Sequence, residues 1–173
     1  MSSERAGQII CKAASECGFI AENYPIADGG EGTVDAFQKL IGGEKIFADT
    51  FDPYFNELNA EFLLSGETAV IEMALCAGMA LKAPFHNIED TATYGVGRLI
   101  ECALDLGAER IIIGNGGSIT NDGGCGMAAA LGVKFIDDEN KQFIPVSGTL
   151  KRIKKVDISR LDKRIKDTEI IAM

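Results

Sequence analysis

The 173-residue chain contains a single histidine and five cysteines without a CxxC pair, and each scarcity removes a class of chemistry. His86 stands alone in a loop beside Pro84, so no Ser/His/Asp or Cys/His nucleophilic set can be assembled around it. Cys11, Cys17, Cys76, Cys102 and Cys125 are odd in number and lack the spacing of a thiolate metal site. Three of them fall in apolar helical patterns, where cysteine packs as a small hydrophobe. The expectation is a reduced, cytoplasmic protein. Beyond KRIKK at 151–155, read as a solvated face, there is no basic stripe, which argues against a nucleic-acid partner. Nothing reads as a signal peptide, and no apolar run approaches the length of a membrane span.

What is present fits a soluble globular chain of one domain or slightly more: 46% hydrophobic residues, 25% charged, and a net charge of −9. An acidic protein of this kind needs local positive potential to take an anionic ligand, from helix N-termini or from a metal. Apolar periodicity predicts a helix from Ser3 to about Cys17, a strand over 19–24 and a helix over 33–41 stopped by Gly42-Gly43. Strands follow over 44–51, 57–64 and 67–74, separated by turn residues and spaced for antiparallel pairing. The second half alternates a helix (93–107), the strand ERIIIG, a glycine-rich loop, a helix (GMAAALG) and the strand VKFID, the pattern of an α/β unit with parallel strands. A hairpin or loop at 137–148 and a terminal strand TEIIAM complete the chain. The fold class is α/β: a Rossmann/flavodoxin-like parallel-sheet unit with an adjoining antiparallel strand set.

Two glycine-rich loops concentrate the polar chemistry. In PIADGGEGT (25–33), Asp28 and Glu31 flank glycines ahead of a helix that Thr33 is placed to cap. On pattern alone, a tight turn capped by these small polar residues is the slightly favoured reading. Alternatively, Gly29, Gly30 and Gly32 let an anion approach helix N-terminal amides, with Asp28 and Glu31 holding Mg²⁺. The second loop, GNGGSITNDGGCGM (114–127), has six glycines in fourteen residues and follows a buried strand, where open α/β sheets bind ligands. Capping needs one polar residue; Ser118, Thr120, Asn121 and Asp122 are four, which favours function. GCGMAA matches GxGxxA only in letters, since it follows a loop instead of a strand. Glu72 interrupts an apolar strand, and alternation places it outward by default; facing a cleft, it would bind hydroxyls or metal. Asp90 or Thr91 is read as the cap of the helix that follows Thr93 and Tyr94.

PIADGGEGTVDA, TAVIEMA, TATYGVGRLI and GNGGSITNDGGCGMAAALGVKF, in that order and spacing, closely resemble the bacterial-type glycerate kinase family along essentially the whole chain. The resemblance implies an ATP- and Mg²⁺-dependent enzyme that phosphorylates a hydroxyl of D-glycerate, giving 2- or 3-phosphoglycerate. It also implies a cleft between two α/β domains, one of them discontinuous. Carried onto this sequence, residues 1–47 belong to the discontinuous domain and 48–173 to the inserted one. Asp28, Glu31 and Asp122 are the candidate catalytic residues, with Asp28 and Glu31 also the candidate metal ligands. Gly29, Gly30, Gly32, Asn115, Gly116, Gly117, Ser118, Thr120, Asn121, Gly123 and Gly124 are the candidates for substrate and phosphate. Asn115 stands where many members have an apolar residue, and Ile119 where alanine is common.

The family's opening strand with a loop resembling IAPDSFKGS is absent from this sequence, as is the Cys-Asp-Val continuation of the strand at 168–173. The expectation is therefore of a fragment inactive alone and prone to self-association through an open sheet edge and apolar helix faces. A non-catalytic module keeping a small-anion site, and a purely structural α/β domain, are the alternatives.

Overall fold

The computed structural model describes residues 3–82, 84 and 87–173; His86 lies outside the described residues. Helix α1 (Ser3–Glu16) forms as expected but has no buried residue, and its Ile9 and Ile10 are exposed. No strand follows it. The alternating residues of 19–24 find no ladder to join, and Ile20 is fully exposed. Helix α2 (Thr33–Ile41) ends at Gly42, whose φ of 68° is left-handed.

Strands β1 (Glu44–Phe51), β2 (Glu57–Ser65) and β3 (Thr68–Glu72) form the expected antiparallel set, with Glu44 opposite Leu64 and Leu63 opposite Val70. β3 stops at Glu72, and the last residues of the predicted strand turn into the short helix α3 (Ala74–Ala77). After α4 (Tyr94–Asp105), strand β4 (Arg110–Gly114) lies parallel to β3. Then follow α5 (Cys125–Ala130), β5 (Lys134–Ile136), β6 (Gln142–Phe143), β7 (Lys155–Asp157) and β8 (Glu169–Ala172). The main sheet has the order β1-β2-β3-β4-β8, with β8 parallel to β4.

One expectation is corrected here. β5 does not return to the main sheet as a parallel strand; it is the centre of a separate antiparallel sheet, β6-β5-β7. The place beside β4 is taken by β8, and the predicted hairpin at 137–148 begins by pairing β5 with β6.

Two helical layers cover the main sheet. On one face Phe62, Ile71, Ile111 and Ile113 pack with Val96, Leu99, Ile100 and Ala103 of α4. On the other, Leu63 and Val70 pack under Val34 and Phe37 of α2. Each large side chain fully buried in this way contributes roughly 1.5–3 kcal/mol. Because β1 and β3 are both antiparallel to β2, strands β1, β3, β4 and β8 all run the same way. Their carboxyl ends, Phe51, Glu72, Gly114 and Ala172, therefore share one edge of the sheet.

Two glycines of α4 fix how its neighbours approach. A Cβ on Gly95 would stand 2.0 Å from the Phe51 carbonyl oxygen, and one on Gly97 would stand 2.4 Å from that of Met127 and 2.6 Å from the Ala130 Cβ. Gly97→Ala is expected to destabilise the fold by about 1–3 kcal/mol through overpacking against α5, despite alanine's better helix propensity. Urea unfolding of the wild type and variant measures it, and an unchanged midpoint would refute the close approach.

Candidate functional site

Both glycine-rich loops lie at the carboxyl edge of the parallel strands, and their backbones meet there. The Gly116 amide donates to the Gly29 carbonyl at 2.8 Å, and the Asn115 amide donates to that of Met173 at 2.9 Å. A Cβ on Gly114 would lie 2.5 Å from the Gly29 oxygen, and one on Gly116 would lie 2.5 Å from the Gly30 nitrogen. Gly29 and Gly30 are buried by this contact. The dense glycine content thus serves a loop-on-loop approach as well as turning.

The first loop leaves its acids outside. Asp28 and Glu31 are exposed, with Asp28 Oδ1 accepting from the Gly30 amide at 3.0 Å in a tight Asx turn. They line a cleft of about 650 Å³ with Glu4, Ile26, Asp35 and Lys39, to which the second loop contributes no residue. The expected Thr33 cap is corrected: Gly32 occupies the N-cap with φ 89°, and Thr33 is the first helical residue, its hydroxyl donating to the Gly30 carbonyl at 2.7 Å.

The acceptor for α2 comes from elsewhere. Glu72, at the end of β3, is 3% exposed, and its Oε2 accepts from the amides of Gly32 at 3.1 Å and Val34 at 3.2 Å. Its default outward placement is overturned, because α2 covers that face of β3. Burial raises the Glu72 pKa above its ordinary value, and the α2 amides partly oppose the shift.

In the second loop Asp122 is 1% exposed and ties two helices together. Oδ2 accepts from the Thr93 amide at 2.8 Å, the Thr93 hydroxyl at 2.9 Å and the Gly126 amide at 2.8 Å, while Oδ1 accepts from the Gly124 amide at 3.2 Å. Thr93, not Asp90 or Thr91, is the N-cap residue of α4, and its hydroxyl also accepts from the Met127 amide at 3.0 Å. Ser118 and Thr120 join hydroxyls at 2.8 Å, and the Thr120 amide donates to Ser118 Oγ at 3.1 Å. Asn115, Gly117, Asn121 and Gly123 form the exposed rim, with Gly116 and Gly124 half-buried. The Asn121 amide is held from below by Ser147 Oγ at 3.1 Å, a support with no signal in the sequence pattern.

No hydrogen bond among the described residues joins Asp28 or Glu31 to Asp122. Nor does any group of three or more His, Cys, Asp or Glu side chains among them form a metal centre. Asp28 and Glu31 supply two exposed carboxylates, a donor set that suits Mg²⁺ when substrate phosphates and water complete its shell. Burial, and then the Asp122 carboxylate, raise the Cys125 thiol above its ordinary pKa.

The model of the glycerate kinase family matches residues 1–173. The glycerate kinase of Bacillus subtilis is 42% identical over 149 residues, 84% of this chain and 39% of that protein. The glycerate 2-kinase of Escherichia coli is 44% identical over 151 residues, 86% of this chain and 40% of that protein. A crystal structure from Salmonella typhimurium LT2, of a protein assigned as glycerate kinase 2, superposes with a TM-score of 0.84 at 37% identity, covering 98% of this chain and 46% of that one. The chain thus spans about two fifths of the length of the curated relatives it matches.

Asp122→Ala strands four donors, three of them backbone amides at helix starts, and is expected to cost about 3 kcal/mol or more, whereas exposed Asn121→Ala stays within about 0.5 kcal/mol. Unfolding midpoints of the two variants test the contrast. For Glu72, the native state holds its proton more tightly than the unfolded chain, whose value is 4.5. Its contribution is therefore full below pH 4.5 and is lost as pH rises through the raised native value. The stability of wild type relative to Glu72→Gln should fall over that window, and a pH-independent difference would contradict the burial.

Proposed function

The chain belongs to the glycerate kinase family, and from that premise we propose that it carries part of a site that transfers the γ-phosphoryl group of ATP to a hydroxyl of D-glycerate. The observation that supports this most is the meeting of the two glycine-rich loops at the carboxyl edge of parallel strands, the place where α/β sheets bind ligands. In this reading Asp28 and Glu31 hold Mg²⁺ or accept the substrate's hydroxyl proton. The ion's chemistry when bound is to neutralise charge on the phosphates. The rim formed by Asn115, Gly117, Asn121 and Gly123, with the hydroxyls of Ser118 and Thr120 behind it, contacts phosphate or the glycerate carboxylate. Asp122 acts as a positioning residue, because its carboxylate is consumed by the helix starts it joins.

A small-anion module seated on α2 is the weaker reading, since Glu72 already takes the Gly32 and Val34 amides. The division into 1–47 and 48–173 belongs to the same proposal, with β1, continuous through residues 47 and 48, linking the two parts. Phosphoryl transfer in this proposal requires the remainder of the family's length. Exposed Ile9, Ile10, Phe19 and Ile20 then favour self-association of this chain alone. Among the described residues no helix is long and apolar enough to cross a membrane, and we place the protein in the cytoplasm.

Thermal unfolding with and without ligand tests the reading. Mg-ATP or D-glycerate at a hundred times its dissociation constant should stabilise the chain by about 2.7 kcal/mol. No shift with either ligand would favour a purely structural domain. In a full-length relative, the counterparts of Asp28→Asn and Glu31→Gln should lower kcat by about tenfold or more. Unchanged kcat and KM in both would remove the assignment.

A further inference from the structure

Helix α2 starts without a local cap. Gly32 at its N-cap has no side chain, and the sequence instead sends a carboxylate from 40 residues away to meet the Gly32 and Val34 amides. A serine or aspartate at the cap would satisfy those donors without placing a carboxylate inside the fold. What a local cap cannot do is fix the helix start relative to the sheet. Glu72 does, because it is the last residue of β3 and pairs in register with Gly114, the last residue of β4. Gly114 in turn abuts Gly29. The first loop is therefore fastened at both ends: at Gly29 through the second loop, and at Gly32 and Val34 through Glu72. Asp28 lies beside the first fastening and Glu31 between the two, both facing solvent.

We propose that Glu72 is a positioning residue for the loop at 25–32, setting Asp28 and Glu31 over the carboxyl edge of the sheet. The assignment rests on the kinase reading only for what the loop then holds; the tether itself is independent of it. Glu72→Leu keeps volume, removes the buried carboxylate and abolishes the tether, while Glu72→Gln keeps an acceptor oxygen. Hydrogen exchange at the Gly32 and Val34 amides should be at least about tenfold faster in Glu72→Leu and near wild type in Glu72→Gln. The thermal shift given by Mg-ATP or D-glycerate should be lost in Glu72→Leu and retained in Glu72→Gln, a rescue that a purely space-filling role would not produce. Wild-type exchange in Glu72→Leu, or an undiminished ligand shift in that variant, would overturn the proposal. If the wild type shows no ligand shift while exchange accelerates in Glu72→Leu, the tether stands and the kinase reading falls.

Discussion

The site end of this fold depends on three stretches of backbone meeting with no side chain between them. Gly29 and Gly30 lie against Gly114 and Gly116, and a Cβ on Gly29 would come within 2.6 Å of the Met173 carbonyl oxygen. Contacts this short exist only where glycine is present on the approaching side. The entropy that glycine loses on folding is offset here by hydrogen bonds between the loops and by burial of Gly29 and Gly30. Once that contact is set, α2 has one place to start, and the first loop must turn its acids outward.

The carboxylates then divide by burial. Glu72 and Asp122 are inside and accept from backbone amides of other elements, so each joins segments distant in sequence. Asp28 and Glu31 are outside, and Asp28 accepts only from the Gly30 amide of its own loop among the hydrogen bonds of the described residues. A buried carboxylate is tolerable only when its hydrogen bonds replace water, and helix starts are the cheapest donors available. Sequence position alone does not separate the two kinds, since Asp28 and Asp122 both precede a pair of glycines.

Much of the fold was legible because its signals are local. Alternation and turn residues located β1 and β2 almost to the residue, and helical period located α2 and α4. The failures share a cause. Residues 19–24 have strand chemistry but no partner, and pairing is not a local property. β5 reads as the next parallel strand until β8 is seen to fill that position. Alternation does place Glu72 on the face opposite Ile71, as expected; it cannot tell that α2 covers that face. The glycine at the N-cap of α2 was the available clue, since an uncapped helix start needs an acceptor from somewhere. Asp122 was read as a catalytic candidate, and its role in joining two helices became visible only with Thr93 beside it.

The electrostatics narrow what the site needs from outside. A chain with a net charge of −9 must attract anions locally if it binds them at all. Helix N-termini are the usual internal source, yet α2 spends its amides on Glu72 and α5 spends its first ones on Asp122. Both dipoles are thereby largely neutralised before any ligand arrives. The cleft beside the first loop carries Glu4, Asp28, Glu31 and Asp35 against Lys39, whose amine is paired with Glu4. Taken together, this surface favours a cation over a free anion. Within the proposed reading, a phosphate group is better drawn here as its Mg²⁺ complex than alone, because the ion supplies the positive charge that the helix starts have given up.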